Sequence, residues 1–257
     1  MIRAYRSEWL KLRRPAVLMG GGGAICVFAI LAIVLGFREL SRGREGMSVA
    51  LLSRSDGFMH VMGHASSFLG IIAVGIAAFA FASEFSLGTL RNLLVRQPNR
   101  LVLLTGKLAA VWSLIALAVV IAYVIAFPVA LSTAPHYGVG TGLWTGSEGI
   151  RSLFAAMGNM VLATLGYALL GALLGLLLRS PAPAIVVGIL YALPVEALLT
   201  GAFSSLRNVL FGDQLSIIAQ GGTAEVSYTS ALLVAGLWML GGAAVGAAVF
   251  RVRDVVV

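Results

Sequence analysis

Few side chains in this sequence could do chemistry, and nearly all sit in apolar surroundings. His60 and His64 are four residues apart, so a helix would place both imidazoles on one face, as a zinc pair requires. The residues between them are Val-Met-Gly, so the glutamate of an H-E-x-x-H site is missing, and His136 is the only further histidine. The pair reads as interfacial hydrogen-bonding groups, and no metal is expected. Glu196 follows Pro194 in an otherwise apolar run, where an acid is a candidate for proton or cation handling. Gly106-Lys107 is the nearest approach to a phosphate cradle. Leu108 follows it where Ser or Thr is needed, and Leu101 stands where the first glycine belongs, so ATP hydrolysis on this chain is not expected. Gly20 to Gly23 form a glycine run inside an apolar stretch without a lysine, which reads as close helix packing. No G-x-S-x-G occurs, and nucleophile–base catalysis finds no support.

The elements that must position these residues follow from composition. Of 257 residues 60% are hydrophobic, 31 are glycine and only 11% are charged, against about 25% charged in soluble domains. That excludes a soluble domain and intrinsic disorder, and the single Cys26 excludes a disulfide framework. A hydrocarbon core needs about 20 apolar residues of helix. Six stretches qualify: the 23 uncharged residues between Arg14 and Arg38, then 61–82, then 108–131, the 27 between Arg151 and Arg179, then 184–199 with Pro194 and Glu196 inside it, and the 25 between Glu225 and Arg251. A polar, glycine-rich loop is expected over 132–147. The first run is longer than a secretory h-region and lacks an A-x-A-like site, so it is expected to be a retained span. The pairs Gly171/Gly175 and Gly242/Gly246 permit close helix contact and are expected to pack the subunit internally.

Six spans place both termini on one side. Segments 1–15, 83–107, 179–183 and 251–257 hold 12 of the 18 Lys and Arg residues. The other six, four of them (Arg38, Arg42, Arg44 and Arg54) in the first outer loop, are matched by six outer acids. Cytoplasmic termini follow from the positive-inside tendency. These flanking cations also account for the net charge of +8, and without aromatic stacking platforms nucleic-acid binding is not expected. No segment between spans is long enough for a separate core, so residues 1–257 read as one membrane domain.

Two cytoplasmic elements carry information. Over 1–14, Ile2, Tyr5, Trp9 and Leu12 share one helical face, with Arg3, Arg6, Lys11, Arg13 and Arg14 around it. That pattern suits a helix in the membrane interface on anionic lipid. In the loop between spans two and three, Glu84 closes the second span, Gly88 permits a reversal with positive φ and Thr89 is a good N-cap. Leu90, Leu93 and Leu94 then form an apolar stripe with Arg91 and Arg96 beside it, until Pro98 stops the helix.

The stretch E-F-S-L-G-T-L-R-N-L-L-V-R-Q-P-N-R over 84–100 resembles the E-x-x-x-G-T-x-R-x-L-L-x-x-P-x-x-R segment of ABC-2-type transporter permeases. S-E-W-L-K-L-R-R, with Glu8 and Lys11, resembles the E-x-x-K-L-R segment at their start. Arg96-Gln97 departs from the small or apolar residues more usual before the proline. The resemblance implies an all-α fold of six transmembrane helices. It adds an interfacial elbow helix (Tyr5, Glu8, Trp9, Lys11, Leu12, Arg13, Arg14), a coupling helix in the 84–100 loop, and a re-entrant outer segment over 193–218. That segment includes Leu206, Val209, Leu210 and Leu215, with Pro194 breaking the helix and Glu196 capping the break. It further implies the permease subunit of an ATP-driven exporter in a bacterial cytoplasmic membrane, pairing with a second permease subunit and two ATP-binding subunits that carry ATP and Mg. Glu84, Gly88, Thr89, Leu90, Arg91, Leu93, Leu94, Arg96, Pro98 and Arg100 would form the ATPase-docking element, with the leucines in a groove and Arg91 and Arg96 on its acidic rim. A drug, antibiotic, peptide or lipid-like cargo suits a path between two permease subunits. The competing expectation is an ion-coupled secondary transporter that uses Glu196.

Overall fold

The computed structural model describes residues 2–13, 15, 18–41, 48–63 and 65–252. Arg14, Arg42, Arg44, Glu45, His64 and Asp254 therefore lie outside the described residues. Among the described residues the chain is helical, without a strand. Six helices are long and apolar enough to cross a membrane: α2 (Leu18–Ser41), α5 (Ser66–Ser86), α7 (Arg100–Thr133), α8 (Ser147–Leu178), α9 (Pro181–Ala202) and α11 (Tyr228–Val252). Shorter helices lie between and before them: α1 (Ile2–Leu12), α3 (Val49–Leu52), α4 (Gly57–Gly63), α6 (Leu90–Arg96) and α10 (Phe211–Ala219).

The centre is the pair α5 and α8, flanked by α7, α9, α10 and α11. Glycine makes that pair possible. A Cβ on Gly171 would lie 2.3 Å from the Val74 carbonyl oxygen, and one on Gly175 would lie 2.8 Å from that of Ala78. The two backbones touch where a side chain would separate them, so Gly171/Gly175 packs the chain internally. Gly242 and Gly246 meet Leu173 and Leu176 only at ordinary distances of 3.6–3.9 Å. The glycine run behaves differently from the expectation. Gly21 packs tightly, on Ile76, whereas Gly20 and Gly23 face open space, because the chain winds there as a wide π-type turn over Leu18–Gly22.

Two spans start elsewhere than the sequence suggests. The second span starts at Ser66, because 57–63 forms the separate helix α4. The third begins at Arg100, where the Asn99 side chain accepts from the Val102 amide at 3.2 Å and caps α7. Lys107 therefore stands two turns inside a helix and not in a loop. The 132–147 segment is anchored and not merely polar. Trp144 is buried, donates its indole N–H to the Leu52 carbonyl at 2.9 Å, and meets Phe58 edge-on beside Tyr123 and Phe127.

Candidate functional site

Glu8, Lys11, Glu84 and Lys107 meet beside the turn that follows α5. The last residues of α5 close in a Schellman motif: the Gly88 amide donates to Phe85 O at 3.2 Å and the Thr89 amide to Glu84 O at 3.1 Å. Gly88 takes the left-handed φ of +63° that this closure needs. Thr89 stands at the N-cap position of α6, as expected, but its side chain makes no capping bond. Its own backbone is already helical (φ −78°, ψ −16°), and its hydroxyl turns back toward the Glu84 carbonyl at 3.5 Å. Gln97 leaves the helix at φ −136°, one residue before Pro98, as the proline demands.

The leucine stripe of α6 faces the bundle. Leu90 is buried, and Leu93 and Leu94 pack half-buried on the core. With Phe85, Leu176, Val249 and Phe250, Leu90 and Leu94 close a space of only about 10 Å³. Leu90 is thus covered within the chain, while Leu93 and Leu94 keep part of their surface exposed. The physical reason is that the feet of α5, α8 and α11 present apolar ends directly above the helix. The outward face carries Leu87, 73% exposed, and Val95, 79% exposed, with Asn92 and Pro98. The side chains of Arg91 and Arg96 lie outside the described residues. Arg100 donates to the carbonyls of Phe250 and Arg251, each at 3.2 Å, and so satisfies the last turn of α11 with a cation at its negative end. Arg179, in the left-handed conformation at the end of α8, places its guanidinium 5.5 Å from the Phe85 ring.

Helix α1 lies against α7. Tyr5 stacks on Trp9 and donates its hydroxyl to Ser113 at 3.2 Å, and Leu12 is buried, while Arg6 and Arg13 are exposed. The docking partner of α1 is the third span, and Glu8 stands on the face it buries there. The Glu8 and Lys107 side chains are only 4% and 7% exposed. Lys107 Nζ donates to Glu8 Oε2 at 3.0 Å and to Glu84 Oε1 at 2.6 Å. Lys11 Nζ bonds the other Glu8 oxygen and reaches Glu84 Oε1 at 3.1 Å. Glu8, Lys11, Glu84 and Lys107 thus close a ring of alternating charge, net zero, across α1, α5 and α7. The Phe81 ring lies 5.5 Å from the Lys107 ammonium. Burial alone would raise the Glu8 carboxyl, but Lys107 and Lys11 outweigh it and hold Glu8 below its ordinary value. Burial would likewise lower Lys11, and Glu8 and Glu84 outweigh that, raising it.

Lys11 and Lys107 are the only two lysines of the chain. A compact ammonium with three donors can bridge two carboxylates in a confined space, which a planar guanidinium cannot do in the same way. In the sequence Lys107 stands out mainly as part of the incomplete phosphate-cradle pattern at Gly106-Lys107. Two signals were present: a lone lysine two turns into an apolar helix, and an acid between Tyr5 and Leu12 on one stripe.

Glu196 sits at the far end of α9, beyond a wide turn over Tyr191–Val195 that contains Pro194. It does not cap its own helix break. Its Oε1 accepts from the Gly212 amide at 2.8 Å, so the carboxylate caps the start of α10 instead. A Cβ on Gly212 would lie 2.0 Å from Glu196 Oε2, and the Tyr167 hydroxyl donates to Gly212 O at 3.2 Å. Helix α10 then packs on α8 and α11, with Leu215 against Gly166 and the hydroxyls of Ser66 and Ser216 3.1 Å apart. His60 Nε2 lies 3.4 Å from Asp56 Oδ2. Among the described residues no cluster of three metal-ligating side chains occurs.

Residues 24–256 match the family described as "Protein of unknown function (DUF2705)". No curated protein matches the sequence. The matched stretch includes Glu84 and Lys107 and begins after Glu8 and Lys11. The chain belongs to that family.

Proposed function

We propose that this member of a family of unknown function is the membrane subunit of an ATP-driven exporter. It would form the cargo path with a second such subunit and couple through α6 to two ATP-binding subunits on the cytoplasmic side. Its termini are cytoplasmic in this reading, α1 is the elbow helix, and the stretch from α9 through α10 is the re-entrant outer segment.

The observation that carries the reading is the construction of α6. It is a two-turn helix held between spans two and three, seated by Leu90 on the feet of α5, α8 and α11, with Leu87 and Val95 turned outward. Such a helix transmits a push to several spans at once and leaves an apolar edge for the protein that pushes. Docking then rests on Leu87, Asn92 and Val95, with Leu90 and Arg100 holding the platform in place.

The ion-coupled alternative draws no equal support. Glu196 is engaged with the first turn of α10, which suits a structural clamp. The test is cross-linking of a Val95→Cys variant in a Cys26→Ala background. Capture of a P-loop ATPase encoded beside the gene, modulated by ATP, is the expected result. Failure of that ATPase to cross-link at either Val95 or Leu87 would overturn the proposal.

A further inference from the structure

We infer that the Glu8–Lys11–Glu84–Lys107 ring is a joint that makes α1, the α5–α6 turn and the foot of α7 one rigid body, so that α6 cannot move without carrying α1. Three observations carry it. The ring is closed: Glu8 uses both oxygens, Glu84 Oε1 accepts from both lysines, and each lysine touches both acids. Three of its four members are buried, so the charges compensate one another and not bulk water. Glu84 also gives its carbonyl to the Thr89 amide that starts α6, so a single residue is both a member of the ring and the last anchor of the turn.

The consequence is mechanical. A thrust on α6 passes through the Schellman turn to Glu84, then through Lys107 into α7 and through Lys11 and Glu8 into α1. Because the ring balances two acids with two bases, its grip depends on neutrality more than on any one contact. Removing Lys107 alone leaves two buried carboxylates facing one cation. Removing Lys107 together with Glu8 leaves a neutral Lys11–Glu84 pair that still ties α1 to the end of α5.

The inference deepens the proposed function, but its test needs neither ATPase nor cargo. Spin labels at Leu10 and Val95, both exposed, in the full chain with Cys26→Ala report the α1–α6 distance by pulsed electron resonance in lipid nanodiscs. The ring as written should give one narrow distance. Lys107→Met should roughly double the width of the distribution, and Lys107→Met with Glu8→Gln should return it to near the original. A Lys107→Met distribution as narrow as the original, or a double variant as broad as the single, would overturn the joint. So would failure of both variants to give folded protein, since a joint between preformed helices can be loosened without losing them. Any of these outcomes would leave the exporter reading standing, and an ATPase that fails to dock would overturn that reading without touching the joint.

Discussion

Lys107 on α7 reaches Glu84 on α5 at 2.6 Å and Glu8 on α1 at 3.0 Å. One buried ammonium thereby joins the N-terminal helix, the end of the second span and the start of the third. The shape of the group matters as much as its charge. Lys107→Arg keeps the charge but sets a planar guanidinium where a compact ammonium sits on Phe81. It should cost roughly 1–3 kcal/mol through overpacking, read as a lower melting temperature of the purified chain. Lys11→Arg, at a site 44% exposed, should be close to neutral.

Glu8 and Lys11, the two members of the ring on α1, set a pH window. Glu8 is held below its ordinary 4.5, so its contribution is complete above that value and is lost as pH falls through the lower folded value. Lys11 is held above its ordinary 10.5, so its contribution is complete below that value and is lost as pH rises through the higher one. The mobility of a spin label at Leu10 should stay constant between about pH 5 and 10 and rise outside that window at both ends. A change centred near neutrality would contradict this account.

Glycine positions separate tight from ordinary packing. Gly171→Ala would drive a Cβ into the Val74 carbonyl and should destabilise the chain by roughly 1–3 kcal/mol or prevent folding. Gly242→Ala meets only Leu173 at 3.9 Å and should be neutral. Gly88→Ala, at φ +63°, should cost roughly 1–2 kcal/mol through backbone strain alone. Thermal unfolding of the three variants in one detergent orders them.

Much of this architecture is legible in the sequence, and the part that is not has a clear cause. Runs of 23 to 27 uncharged residues must become membrane helices because nothing else satisfies their backbones in lipid. Gly88 and Pro98 bracket α6 for local reasons of φ and missing donors. The direction of the leucine stripe is different. Leu90, Leu93 and Leu94 announce an apolar face, but whether the chain itself or a partner covers it depends on where Phe85, Leu176 and Phe250 end up. Closure of the ring is more remote still, since residues 8, 84 and 107 meet only through the packing of three helices. Likewise, that Glu196 caps α10 follows from the approach of Gly212, sixteen residues on.

Glu196 distinguishes the two transport readings. Glutamine can still accept from the Gly212 amide, so Glu196→Gln should keep the fold and, in an ATP-driven exporter, keep ATP-dependent export from inverted vesicles. Glu196→Leu removes the acceptor and should lower the melting temperature. Loss of transport in Glu196→Gln at unchanged stability would favour the ion-coupled alternative.

The central claim, that α6 is the docking element for an ATP-binding partner, is met most directly by one measurement. The tagged chain is purified from membranes in which any P-loop ATPase encoded beside its gene is co-expressed, and bound P-loop protein is quantified by mass spectrometry. The account predicts recruitment by the original chain and at least about tenfold less by Leu87→Asp with Val95→Asp, at an unchanged melting temperature, as expected for apolar contacts at an interface centre. Undiminished recruitment by that double variant, or none by the original chain, would contradict it.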